Sequence, residues 1–261
     1  MTSVIDKKDS NLDKENLDEK KERIRKIREK AKELEEKGIL EEKKEVSIKE
    51  EVSQKEESEL KKDMLVPIED YLKASIYLGT RVVTPDMKKY VYRRRADGIA
   101  VFNTSLLDEK IKEGAEFIAK YNPEDIIVVC KREAGWKAVN KFSEITGIRA
   151  FTKKYPAGIL TNTKLEDFFE CGLVIICDPW VDKNALNDAK KINAIVVSIC
   201  DTNNYTNGID VIIPGNNKSA KSLGMIFYLI TKIYIEKRKL DIKIPQIEEF
   251  IEDWASLQPP K

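Results

Sequence analysis

The residues best equipped for chemistry lie in "GNNKSAKS", Gly215 to Ser222, which departs from the phosphate-binding pattern GxxxxGKS only at Ala220. Upstream, "LVIICD" runs apolar into Asp178, in the manner of the strand that presents a magnesium-holding aspartate in nucleotide hydrolases. Three features weigh against that enzyme. The second glycine of the pattern lets backbone approach phosphate closely, and alanine disfavours the same geometry. The loop follows the final strand-like run, whereas Asp178 precedes it in the chain. No side chain stands out as a general base. What survives is a helix start surrounded by Asn216, Asn217, Lys218 and Lys221, groups that suit an anion. A cation near a helix N-terminus is unfavourable by roughly 0.3 to 1 kcal/mol, so Lys218 and Lys221 point to an anionic partner.

A second chemical signal is "DMKKYVYRRRADG". Side chains alternate along a strand, so three consecutive arginines cannot all face one side, and guanidinium groups are rarely buried unpaired. The segment must be an edge, a strand end or a ligand surface. Lys88, Lys89, Tyr90, Tyr92 and Arg93 to Arg95 together supply phosphate-pairing and stacking groups of the kind RNA recognition uses. A solvated charge run is the plainer alternative, and the run alone would not outweigh it.

Absences narrow the chemistry further. The chain has no histidine, which removes Ser-His-Asp and Cys-His nucleophile pairs, histidine metal ligands and the usual base near neutral pH. Cys130, Cys171, Cys177 and Cys200 show no CxxC spacing, and three of them end apolar strand-like runs, so they read as buried thiols of a reducing compartment. No apolar run reaches the roughly 18 residues of a membrane span, and the polar start lacks a signal-peptide core. We expect a soluble, cytoplasmic protein with neither metal nor cofactor.

The elements that must position these groups begin near residue 63. Residues 1 to 62 hold 37 charged positions with neither aromatic nor proline, too little apolar surface for a core of their own. Leu17, Ile24 and Ala31 recur every seven, with Ile27 and Leu34 three residues after the last two, and Gly38 closes the stripe. This arm is expected to be helical or disordered, either a solvated single helix or one that docks on a partner. From Pro67 to Gly79 the pattern predicts a helix, and "KYVYRRR" and "GIAVFN" predict a hairpin. Helices are predicted from about Ser105, capped by Ser105 with Asp108, and at 134–146, 184–191 and 217–239. They alternate with the strand-like runs "DIIVVC", "IRAF", "LVIICD", "AIVVSIC" and "VIIP". Continuous Val/Ile runs between amphipathic helices predict an α/β domain at 63–240, with a mostly parallel sheet covered on both faces. In such sheets ligands bind the loops leaving the carboxyl ends of strands, and those loops are here rich in Lys, Asn, Thr and Asp. Asn203, Asn204, Asn207 and Gly208 read instead as turn formers. In the 241–261 tail, Ile247, Phe250, Ile251 and Trp254 make a narrow apolar helical face that packs on the domain or docks on a partner.

Five ordered stretches carry a family likeness: "YLKASIYLGTRVVTPDMKKYVYRRRADGIAVFN", "YPAGILTNTKLEDFFE", "LVIICDPWVDKNALNDA", "SICDTNN" and "VIIPGNNKSAKSLG". From about Pro67 to Lys239 the chain resembles the small-subunit ribosomal protein two family, in its archaeal and eukaryotic branch, also known as SA or laminin-receptor precursor. The resemblance implies a flavodoxin-like core without a cofactor. It implies a structural, non-catalytic component of the small ribosomal subunit, in contact with ribosomal RNA and neighbouring ribosomal proteins. By motif, Lys88, Lys89 and Arg93 to Arg95 are expected to face RNA or a neighbour, with Lys153, Lys154, Thr161, Asn162, Asn216, Asn217 and Lys218 as further contacts. A nucleotide-binding enzyme and a protein-interaction scaffold using the charged arm are the rival readings.

Overall fold

The computed structural model describes residues 64–252 and 254; the expectations for the charged arm and for the last seven residues lie outside them. Seven strands and five α-helices alternate through this part of the chain. Helix α1 is Ile68–Ala74, and strands β1 (Val91–Arg94) and β2 (Ala100–Phe102) form an antiparallel hairpin. Then follow α2 (Thr104–Ile118), β3 (Ile126–Cys130), α3 (Trp136–Thr146), β4 (Arg149–Thr152) and β5 (Leu173–Ile176). The chain continues with α4 (Lys183–Lys191), β6 (Ile195–Cys200), β7 (Val211–Pro214) and α5 (Ala220–Arg238).

Strands β3 to β7 make one parallel sheet in the order β4-β3-β5-β6-β7. This is the doubly wound arrangement of flavodoxin, with its switch point between β3 and β5. The continuous apolar runs follow from burial on both faces. In β3, Val128 and Cys130 join a core built with Ile111 of α2, Phe142 of α3 and Phe227 of α5, while Ile127 and Val129 join a second core. That second core is closed by Ala185, Leu186 and Ala189 of α4 and by Ile159 and Leu160 of the long β4–β5 connection. A loop therefore does on this face what a helix would do. Cys130, Cys177 and Cys200 are buried free thiols, and burial pushes Cys200 up to about 12, so it stays neutral. Among the described residues no helix is long and apolar enough to cross a membrane.

Three local expectations change. The helix predicted to run to Gly79 stops at Ser75, which takes a left-handed conformation. Residues 77–80 instead run alongside β2: the N–H of Phe102 donates to the carbonyl of Tyr77, that of Gly79 to Ala100, and that of Ala100 to Thr80. Pairing with a strand distant in sequence outweighs the helical spacing of Leu72 and Ile76. The second change is at α2, whose cap is Asn103, with its side-chain oxygen accepting from the Ser105 N–H. Asp108, expected as the capping-box acid, is drawn inward, where it accepts from the Tyr71 hydroxyl and the Leu65 N–H. Third, the tail makes one 3-10 turn, Ile247–Glu249, after which Phe250 and Ile251 are buried against α5. Phe250 lies edge-on to Tyr228, with ring centroids 6.0 Å apart.

Candidate nucleic-acid interface

The basic segment begins as a 3-10 turn, Lys88–Tyr90, and runs straight into β1. Met87 and Tyr90 are buried, which pins the turn and leaves Lys88 and Lys89 outside. Beyond them Tyr92, Arg93, Arg94 and Arg95 are all exposed. Strand β1 is an edge strand, paired to β2 alone, and a register irregularity between Val91 and Arg93 turns Tyr92 out to 72% exposure. Arg94 donates to the carbonyl of Arg81 at 3.0 Å, and Arg95 lies 3.6 Å from Asp97 across the turn. Lys88, Lys89, Arg93 and Arg94 have no carboxylate partner among the described residues. The result is a cationic ridge carrying an exposed aromatic ring.

The segment that leads into the hairpin, residues 79–86, is stitched to the loop after β6 at the carboxyl end of the large sheet. The Thr80 N–H donates to Thr202 Oγ1 at 2.8 Å, the Thr84 hydroxyl to the carbonyl of Asn204 at 2.7 Å, and the Thr206 hydroxyl to Asp86 at 3.0 Å. Gly79 has to be glycine here, because a Cβ would stand 2.4 Å from Thr202 Cγ2.

At that carboxyl end, where doubly wound proteins bind ligands, the chain has filled the space with its own side chains. Asp178, after β5, pairs with Arg132 at 2.5 Å and accepts from the Trp180 N–H and from Asn204 Nδ2. Asp182 accepts from the N–H groups of Lys131 and Asp178; burial nevertheless pushes its carboxyl up to about 6. Asn204 Oδ1 accepts from the Asp201 N–H and from Asn217 Nδ2. Asn217, expected at a contact surface, is only 1% exposed, and its amide spans the β6–β7 and β7–α5 loops. Lys218 finds its anion inside the molecule, 3.3 Å from Asp201. Asn216 accepts from the Lys218 N–H and donates to the carbonyl of Ser75. The stretch that nearly matches a phosphate loop is thus a clamp joining α1, β6 and α5, and Asp178 is engaged in an ion pair. Lys221 stands exposed on the first turn of α5.

The other predicted contacts lie after β4. Lys153 has a left-handed backbone and reaches over the ring of Trp136 at 5.6 Å, and Lys154 is exposed. Thr161 and Asn162 are exposed, but Asn162 also serves the turn by accepting from the Lys164 N–H.

Comparison with known proteins decides the family. The family model described as Ribosomal protein S2 matches residues 170–237. The small ribosomal subunit protein uS2 of Nanoarchaeum equitans is 42% identical over 193 residues, covering 72% of this chain and 96% of its own. The uS2 proteins of Ignicoccus hospitalis and Thermoplasma acidophilum are 38% and 34% identical, covering 70% and 76% of this chain and 88% and 99% of their own. The chain belongs to the ribosomal protein S2 family.

Within this S2-family core the predicted residues fall into separate groups. Lys88 to Arg95 form one ridge; Lys153 and Lys154 sit after β4; Asn216 to Lys221 sit at the start of α5. Sequence reasoning missed a further feature between the β5–α4 and β6–β7 loops. Trp180 and Tyr205 are 70% and 71% exposed there, and both line one cleft of about 370 Å³. The signal was available: an aromatic residue in each of two adjacent strand-end loops, "DPWVD" and "NNYTN", where turn formation needs neither.

Proposed function

We propose that the protein is a structural constituent of the small ribosomal subunit, held by ribosomal RNA phosphates and neighbouring ribosomal proteins and needed for assembly of that subunit. It catalyses nothing and works bound to the ribosome in the cytoplasm. The observation that carries the reading is the ridge from Lys88 to Arg95, whose cations stand exposed on an edge hairpin with few internal partners. Arginine presents a planar fork that pairs phosphate oxygens bidentately, and the adjoining Tyr92 gives a base a face on which to stack. Lys153, Lys154, Thr161, Asn162, Asn216, Lys218 and Lys221 serve as secondary contacts. Asn217 supports them from within.

The relatives named above are small-subunit proteins at 34% to 42% identity over most of their length, which supports the same assignment here. A nucleotide hydrolase finds no comparable support, since polar groups of its would-be loop are taken up by β6, by the loop after it and by each other. Replacing Arg93, Arg94 and Arg95 together by alanine tests the reading. The triple variant should fold normally and be depleted from small subunits in co-sedimentation; undiminished incorporation would remove the role given to the ridge. Calorimetry with ATP or GTP should register no micromolar binding.

A further inference from the structure

We propose that the cleft bounded by Trp180 and Tyr205 is a stacking site for an unpaired nucleotide of RNA, distinct from the phosphate-pairing ridge; the proposal rests on the RNA-bound reading above. Both rings are at least 70% exposed, although each residue sits on a loop whose neighbours are tightly held. Trp180 follows Asp178, to which its N–H is fixed at 2.9 Å, and Tyr205 follows the buried Asn204. The rings are thus presented to solvent by rigid backbone, which lowers the entropy lost when they engage a ligand.

The chemistry of the walls selects the occupant. Besides the two rings, the lining includes Lys183, Asn187, Lys190 and Asn207. The charged residues of the lining are both lysines, while the nearby acids Asp178, Asp182, Asp188 and Asp201 are buried and turned inward. Asp86, beside Tyr205, is exposed but accepts from both the N–H and the hydroxyl of Thr206, while the two lysines of the lining stand outside. Lys183 and Lys190 lie at the two ends of α4, on the side that also contributes Asn187. Lys190 is braced on the carbonyl of Asn207 at 2.7 Å. Aromatic faces take a base of any identity, exposed amides meet base edges, and lysines meet the flanking phosphates. A protein segment fits less well. It would want a continuous apolar floor, and here Leu186 is buried and the rings are interrupted by asparagines.

The full chain and native subunits provide the test. Trp136 and Trp254 are partly buried, so an exposed-tryptophan signal reports on Trp180. Titration with a fluorescein-labelled single-stranded RNA dodecamer should quench that signal, and a blunt RNA duplex of equal length should quench it far less. Trp180→Phe should abolish the quenching yet bind the dodecamer within about threefold by anisotropy, because phenylalanine still stacks. Trp180→Ala combined with Tyr205→Ala should bind about ten- to a hundredfold more weakly. In ultraviolet-irradiated small subunits, the peptides containing Trp180 or Tyr205 should carry a crosslinked nucleotide. Unchanged binding by the double alanine variant, or crosslinks from these residues to a neighbouring protein instead of RNA, would overturn the site while leaving the ribosomal reading intact. If the chain were absent from subunits but still lost dodecamer affinity in the double variant, the site would stand and the ribosomal reading would fall.

Discussion

Asp178 and Asp182 show how one residue type takes two different roles within a few ångströms. Asp178 is almost fully buried, and Arg132, the Trp180 N–H and Asn204 all donate to it. Arg132→Met would strand that carboxylate. We expect a loss of about 3 kcal/mol in denaturant unfolding, the lower end for a broken buried pair, since the Arg132 side chain is 27% exposed. Asp182 receives two N–H groups but no cation at bonding distance, and it titrates at about 6, above the ordinary carboxylate value. The folded chain therefore holds this proton more tightly than the unfolded chain. Its contribution to stability is lost as pH rises through about 6, and regained as pH falls toward the ordinary carboxylate range. Against Asp182→Asn, which cannot titrate there, the wild type should gain about 2 kcal/mol between about pH 7.5 and about pH 4.5. A difference between the two proteins that stays flat over that range would mean that Asp182 is ionised normally.

Among the elements, α5 organises the molecule. It is apolar on nearly every face because the sheet, α2, α3 and the returning tail all press on it. Gly224 is the point of closest approach: a Cβ there would meet Ile251 Cγ1 at 2.5 Å and the carbonyl of Phe250 at 3.0 Å. Gly224→Ala should therefore push the tail off, costing about 1 to 3 kcal/mol. Limited trypsin digestion should then cut the variant at Lys239 or Lys243 faster than the wild type while the core persists. Equal rates would show that packing on α5 does not hold the tail. The order and type of the elements were legible, because Val/Ile runs of strand length alternate with amphipathic segments. Boundaries set by distant contacts were not: neither the early end of α1 at Ser75 nor the extended pairing of 77–80 has a local cause.

For the molecule as a whole, a formal net charge of +1 gives no general attraction to nucleic acid, so any attraction has to be local. The fold makes it local by burying Asp178, Asp182 and Asp201 at the sheet's carboxyl end and lifting cations onto an edge hairpin and loop tips. Removing the three arginines should lower the salt dependence of RNA binding as well as its strength. The slope of log affinity against log salt should become shallower by about two to three, at roughly 0.7 to 0.9 per lost phosphate contact. An unchanged slope would mean that these side chains touch no phosphate.

The sequence alone determined what depends on local periodicity and on residue type. Strand-length apolar runs dictate a parallel sheet covered on both faces, three adjacent arginines cannot be buried, and the absence of histidine removes whole classes of catalysis. Tertiary structure decided which polar residues remain available, because availability depends on partners far away in the chain. Asn217 and Lys218 look like anion ligands in "GNNKSAKS", yet the loop after β6 brings Asn204 and Asp201 against them, so that Asn217 is buried with its Nδ2 donating inward and Lys218 pairs with Asp201. Trp180 and Tyr205, 25 positions apart in the chain, line a single cleft only because β5 and β6 are neighbours in the sheet.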